Sequence, residues 1–305
     1  MLLASSFLLL LMSCQSEPEE TTLADGQCTI SFSVTNYRQI SFDDLSGEGT
    51  RADIPSDHPS TLDHLLVAVF DAETGQQACS QIQHDYESYK TKPYEYPQFT
   101  VTLPYGHYRV LVLGYSGKKT CTISSPSHIS WEDNYVPNTF LYYGELTLNE
   151  DTEPTKEITL KHVVAAFHLT AEDAIPAELT KMRFVSTEGG TVLNATTGFA
   201  LENTGRTSEI AVPSTYKGKQ KVPFTTYYFL PMEQVTSDFT IQALDKNDAV
   251  LNEKHFKSVP LRINYLTEWT GKAFEPSDDD EPDGEKRGFY VEWDTQWADT
   301  LHITP

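Results

Sequence analysis

Positive charge is scarce in this 305-residue chain. Lys and Arg number 22 against 44 Asp and Glu, for a formal net charge of −22. Nucleic acids and anionic lipid surfaces are bound by Lys and Arg that neutralise phosphates, so charge excludes both as partners. The acidic excess names no partner of its own and fits solubility in a crowded extracytoplasmic space. Cysteine is scarce too: Cys14, Cys28, Cys79 and Cys121. No Cys-x-x-Cys or Cys/His ligand spacing occurs, which argues against structural zinc, and no metal or cofactor is expected. The chain has no G-x-S-x-G, no H-E-x-x-H and no phosphate-cradling glycine loop, so an enzyme is not expected. No apolar run reaches the roughly 17–25 residues that span a bilayer. No segment keeps a 3.6-residue apolar period for long, which argues against βαβ units.

What is present begins at the N-terminus, MLLASSFLLLLMSC. An apolar run from Leu2 to Met12 stops at Ser13-Cys14, and Gln15-Ser16-Glu17-Pro18-Glu19-Glu20 follows. This pattern resembles a bacterial lipoprotein signal. The resemblance implies cleavage after residue 13, a lipid on Cys14 and a protein hung from a membrane by that lipid alone. It departs from the usual pattern in one respect, since no Lys or Arg precedes Arg38. If Cys14 carries lipid, three cysteines remain and at least one is unpaired. Cys79–Cys121 is the first disulfide to test; the connectivity stays open.

Strand patterns fill the rest. Residues 14–26 read as an acidic tether. From Cys28 to Val34 the chain alternates, with Ile30, Phe32 and Val34 on one face, as in a half-buried strand. His64 to Phe70 is a near-continuous apolar strand ending at the turn Asp71-Ala-Glu-Thr-Gly75. Phe99–Leu103 and His107–Tyr115 flank a hairpin turn at Pro104-Tyr105-Gly106. Residues 116–139 read as loop. A second series opens at Lys156–Leu160 and Val163–Thr170 and continues through 179–187, 199–202, 222–230, 239–244 and 266–274. Ala171 to Leu179 has room for one helical turn, with Pro176 early in it. A hydrophobic content of 39% is low for one large core and favours two domains. The expected organisation is 27–160 and 161–274, two tandem antiparallel β-sandwiches of an all-β protein, followed by 275–305, an acidic linker and a terminal strand.

Few constellations could carry chemistry. His84-Asp85-Tyr86-Glu87 lies in a turn-like polar stretch and reads as solvated loop. Asp53, Asp57, His58, Asp63 and His64 cluster in sequence and could bind a metal, but read better as a polar loop before a strand. Asp279, Glu281, Asp283 and Gly284 match the first positions of a calcium loop; position 12 is Tyr290, where that loop needs a bidentate Glu. Phe289, Val291 and Trp293 share one strand face, which could close its own sheet, add to a neighbour's sheet or line a sugar-binding face.

Taken in order, four stretches resemble the fimbrillin-like lipoproteins of Bacteroides-type bacteria. They are the signal ending at Cys14, Thr50-Arg51-Ala52, the strand and turn Leu65–Gly75, and Leu160–Thr170 followed by Ile175-Pro176. Asn264–Gly271 resembles that family's near-terminal strand. The resemblance implies two transthyretin-like β-sandwiches and a role as pilus subunit, tip or anchor in cell adhesion at the outer membrane surface. In several members a trypsin-like protease cuts after an arginine in the loop following the first strand, and a neighbour's terminal strand fills the groove left behind. Arg51 matches that arginine, Ala52 would become the new N-terminus, and Phe289, Val291 and Trp293 are the candidate donor strand. The implied partners are other pilus subunits, through β-strand addition, with a host or bacterial surface receptor beyond them. The competing expectation is a surface glycan-binding lipoprotein.

Overall fold

The computed structural model describes residues 26–36, 62–79, 81–85 and 98–275. The first half carries β1 (Gln27–Asn36), β2 (His64–Asp71), β3 (Ile82–Asp85), β4 (Gln98–Pro104), β5 (Gly106–Tyr115), β6 (Cys121–Ser125), β7 (His128–Trp131), β8 (Thr139–Leu148), β9 (Thr155–Thr159) and β10 (Lys161–His162). The second carries β11 (Ala165–Ala171), β12 (Lys181–Ser186), β13 (Leu193–Asn194), β14 (Phe199–Ala200), β15 (Arg206–Ala211), β16 (Val222–Tyr228), β17 (Gln234–Leu244), β18 (Val250–Arg262) and β19 (Leu266–Gly271). The fold is all-β, with two short 3₁₀ turns among the described residues.

Side-chain period decides which face of each strand is wet. In β1 and β4 apolar residues alternate with Ser and Thr, so Ile30, Phe32, Val34, Phe99, Val101 and Leu103 face one core. On the opposite face hydroxyls pair across the strands: Thr29 with Thr102 at 2.8 Å and Ser31 with Thr100 at 2.9 Å. β2 and β5 are apolar on both faces for a different reason. Leu65, Val67, Val69, Val110 and Val112 face that first core, while Leu66, Ala68, Phe70, Leu111, Leu113 and Tyr115 face a second one behind it. Close packing sets one glycine here. A Cβ on Gly114 would lie 2.5 Å from Leu62 Cδ1.

Two sheets, ordered β4-β1-β9 and β10-β8-β5-β2-β3, close over the first core. Two more, ordered β16-β11-β19 and β15-β12-β17-β18, close over another built from Phe167, Phe184, Tyr228, Phe239 and Leu261, among others. The two sandwiches share one strand order: β1, β2, β3, β4, β5, β8 and β9 take the places of β11, β12, β15, β16, β17, β18 and β19. The handover between them falls at Val163–Val164, because Lys161 and His162 still pair with Leu141 and Phe140 of β8. The expectation of purely antiparallel sandwiches is refined, since β1 runs parallel to β9 and β11 parallel to β19. The helical turn expected at Ala171 to Leu179 is absent. Leu179 N–H makes a single turn bond to the Pro176 carbonyl, while the N–H groups of Glu172 and Ile175 donate away from the segment, to the Gly271 and Lys219 carbonyls.

A third assembly joins the sandwiches. Strands inserted between β5 and β8 (β6, β7) and between β12 and β15 (β13, β14) pair through Ile129 and Leu193 into a four-stranded sheet, β14-β13-β7-β6. This places strands in the stretch read as loop. Beneath them the second core runs from Leu66 and Leu113 to Val164, Leu193, Phe229 and Leu266, so it belongs to both halves.

Candidate functional site

β1 is the middle strand of its sheet. It pairs antiparallel with β4 from Gln27↔Pro104 to Ser33↔Gln98, and parallel with β9 from Ser31↔Thr155 onward, with a register shift after Val34. Ile30, Phe32 and Val34 are 0–2% exposed. A slot of this shape, emptied of β1, would present backbone groups on both walls and an apolar floor. That is the chemistry by which an extended segment adds to a sheet. The corresponding strand of the second sandwich, β11, also lies between two neighbours. Their connections differ. β11 joins β12 through the short segment 172–180, whereas β1 joins β2 through 37–63, which includes Arg51.

Cys14, Arg51, Ala52, Phe289, Val291 and Trp293 lie outside the described residues, as do Asp53, Asp57, His58 and the acidic linker. Cys79 and Cys121 lie within them, and the disulfide expected between them is not formed: Cys28, Cys79 and Cys121 are free thiols. Cys79 packs on the first core and Cys121 on the second, on opposite sides of the sheet that holds β2 and β5. Burial raises both thiols, Cys121 to about 12, so neither is a ready nucleophile. Asp63 and His64 hold a turn. Gly117 N–H donates to Asp63 Oδ2 at 2.5 Å, and His64 Nε2 donates to the Gly117 carbonyl at 2.9 Å, with its ring stacked on Tyr115. Among the described residues no group of three or more His, Cys, Asp or Glu is placed to hold a metal ion. His84 and Asp85 end β3, opposite Leu65 and His64.

Two polar clusters escaped the sequence reading. The buried Asp173 carboxylate accepts N–H bonds from Ala273 (2.9 Å), Phe274 (2.6 Å) and Glu275 (2.8 Å), and Asn252 Nδ2 donates to the Ala273 carbonyl at 2.7 Å. Together they fix the point from which 276–305 departs. His162 sits at the handover between sandwiches. Its Nδ1 bonds the Asn264 side chain at 3.0 Å, its Nε2 bonds that of Asn138, and its ring stacks on Phe140 at 4.3 Å. Burial lowers it to about 3, so the ring is neutral and one amide must donate to it. The only sequence signal for either was a polar residue beside an apolar strand, which is too common to single out.

Fold and site define an all-β protein of two joined sandwiches whose polar clusters fix strands and turns. The chain belongs to the family of fimbrillin-A associated anchor proteins Mfa1 and Mfa2, whose model matches residues 21–269. It is thus a fimbria-associated protein of the cell surface. Among solved structures it is similar to one described as a polysaccharide-binding protein from Bacteroides thetaiotaomicron, with TM-score 0.50 and 10% identity over 91% of this chain and 98% of that one. The fimbrial anchor protein Mfa2 from Porphyromonas gingivalis matches with TM-score 0.40 and 10% identity over 90% of this chain and 99% of that one. The tip fimbrial protein Mfa3 from the same organism matches with TM-score 0.38 and 11% identity over 83% and 96%. No curated protein matches the chain.

Proposed function

We propose that this chain is a fimbrial subunit exported as a lipoprotein with a lipid on Cys14 as its delivery handle, and joined to other subunits, once it is cut after Arg51, by strand addition at the place of β1; an uncut chain is held at the outer membrane by that lipid. Its two domains divide at Val163–Val164, with 14–26 the tether and 275–305 the assembly arm, and Phe289, Val291 and Trp293 facing the slot of a neighbour. The observation that carries this reading is the pairing of a mid-sheet β1 with the long connection 37–63. A cut after Arg51 severs the covalent link between β1 and the rest of its sandwich, so the strand and its lipid can leave together. Nothing comparable is available to β11, which sits on a short connection.

Limited digestion with a trypsin-like protease, N-terminal sequencing and non-denaturing gels test the proposal. A stable core beginning at Ala52 that forms ladders is expected. A cut core that stays monomeric or falls apart overturns strand addition, and leaves a tethered fimbrial anchor that keeps β1. Substitution of Cys14 by Ser moves the protein from the membrane to the soluble fraction if the tether is read correctly.

A further inference from the structure

Positive charge is scarce in this chain and unevenly spread. Lys217, Lys219 and Lys221 put three lysines into five residues, and no other five-residue stretch of the chain holds three Lys or Arg. They lie between the 3₁₀ turn Ser214–Tyr216 and the start of β16. Lys219 and Lys221 are exposed, and Lys217 is half-buried. Several other lysines meet acids: Lys119 meets Asp133, Lys181 meets Glu209, Lys257 meets Asp238 and Lys272 meets Glu275. None of these three is ion-paired among the described residues, although Glu172 and Glu178 stand on the adjoining segment 172–180.

Backbone bonds place this loop beside the point where the chain leaves the fold. Ile175 N–H donates to the Lys219 carbonyl at 2.9 Å, and Gly218 N–H donates to the Ile175 carbonyl at 2.9 Å. Two residues before Ile175, the Asp173 carboxylate holds the N–H groups of Ala273, Phe274 and Glu275. The strand register agrees, since Val222, Ala171 and Gly271 form one row across β16, β11 and β19. Two strand spacings, about 10 Å, therefore separate the end of the lysine loop from the end of β19. Beyond Glu275 comes the most acidic stretch of the chain, with Asp or Glu at six of the eight residues 278–285. We propose that the lysine loop 217–221 receives the acidic linker 278–285 of the same chain. Opposite charge selects the occupant, and closeness makes the contact intramolecular. The chain from Glu275 to Asp278 reaches about 10 Å, and the lysine side chains close the rest. One exposed ion pair is worth little, so several acids share the lysines and salt weakens the contact. The linker is thereby laid across the β16 end of the second sandwich, and residues 286–305 set off from a fixed side. The contact does not depend on strand addition.

Two measurements on the full chain test this. Carbodiimide coupling in about 20 mM salt, read by peptide mass spectrometry, should join Lys219 or Lys221 to an acid within 278–285, and about 0.5 M salt should lower the yield by about threefold or more. That yield should not change with protein concentration. Cleavage within 278–283 by an Asp-directed endoproteinase should run about threefold faster in Lys219→Gln/Lys221→Gln than in the parent at low salt, and equally fast in both at about 0.5 M. Both lysines are exposed, so the double variant keeps the fold. Absence of any link to 278–285 overturns the proposal, as does cleavage of parent and variant at equal rates in low salt. A yield that rises with protein concentration overturns it too, and gives the loop to the linker of a second copy.

Discussion

Asp173 binds three consecutive backbone N–H groups, at Ala273, Phe274 and Glu275. Asp173→Ala leaves buried donors without acceptors and should cost about 2–4 kcal/mol, read from urea unfolding of the two proteins. The two buried histidines govern a different variable. Burial lowers His162 to about 3 and His168 to about 4. Below about pH 6.5 the unfolded chain takes up these protons while the fold does not. Their contribution is therefore complete above pH 6.5 and is lost as pH falls towards 3–4. Between pH 6 and 4.5 each should weaken the fold by about 1 kcal/mol per pH unit. His168→Gln should remove one of those two increments when stability is measured against pH. None of these roles was legible in the sequence. An Asp after a strand, or a His within one, acquires meaning only from partners about a hundred positions away, such as Asn264 for His162.

Strands with a regular alternation or an unbroken apolar run were legible. β1, β2, β4 and β5 follow from alternation, from the apolar run at His64–Phe70 and from the turn at Pro104–Gly106. Others were hidden for physical reasons. β8 is interrupted by Gly144, and β18 is an edge strand whose exposed and half-exposed residues give it no apolar period. β6 and β7 sit in a stretch whose prolines read as loop. The two faces of β1 should separate cleanly by mutation. Phe32→Ala empties a buried site and should cost about 3–5 kcal/mol. Ser31→Ala removes only the hydroxyl bond to Thr100 and should cost less than about 1 kcal/mol. Chemical denaturation of both variants checks the contrast, and a Phe32→Ala cost near that of Ser31→Ala would refute the packing assigned to β1.

The repeated strand order and the sheet that joins the halves belong to the whole molecule, and neither shows in the sequence. The copies share a path rather than residues, and Ile129↔Leu193 is a pairing no local pattern announces. The fimbrial reading was legible as an ordered set of weak resemblances, because each strand alone is generic. Since the second core is common to both sandwiches, calorimetry should show a single unfolding transition. Leu193→Ala, at a fully buried site in that core, should split it into two. Retention of one sharp transition in the variant would mean that the halves are coupled elsewhere. The parallel pairs β1–β9 and β11–β19 set how the molecule bears tension. In each sandwich the first and last strands lie side by side and point the same way. A pull on the two ends of the chain therefore slides these strands lengthwise and loads every rung of the ladder at once, whereas an antiparallel pair of end strands would open one rung at a time. A chain folded this way, with β1 in place, yields late and abruptly under tension.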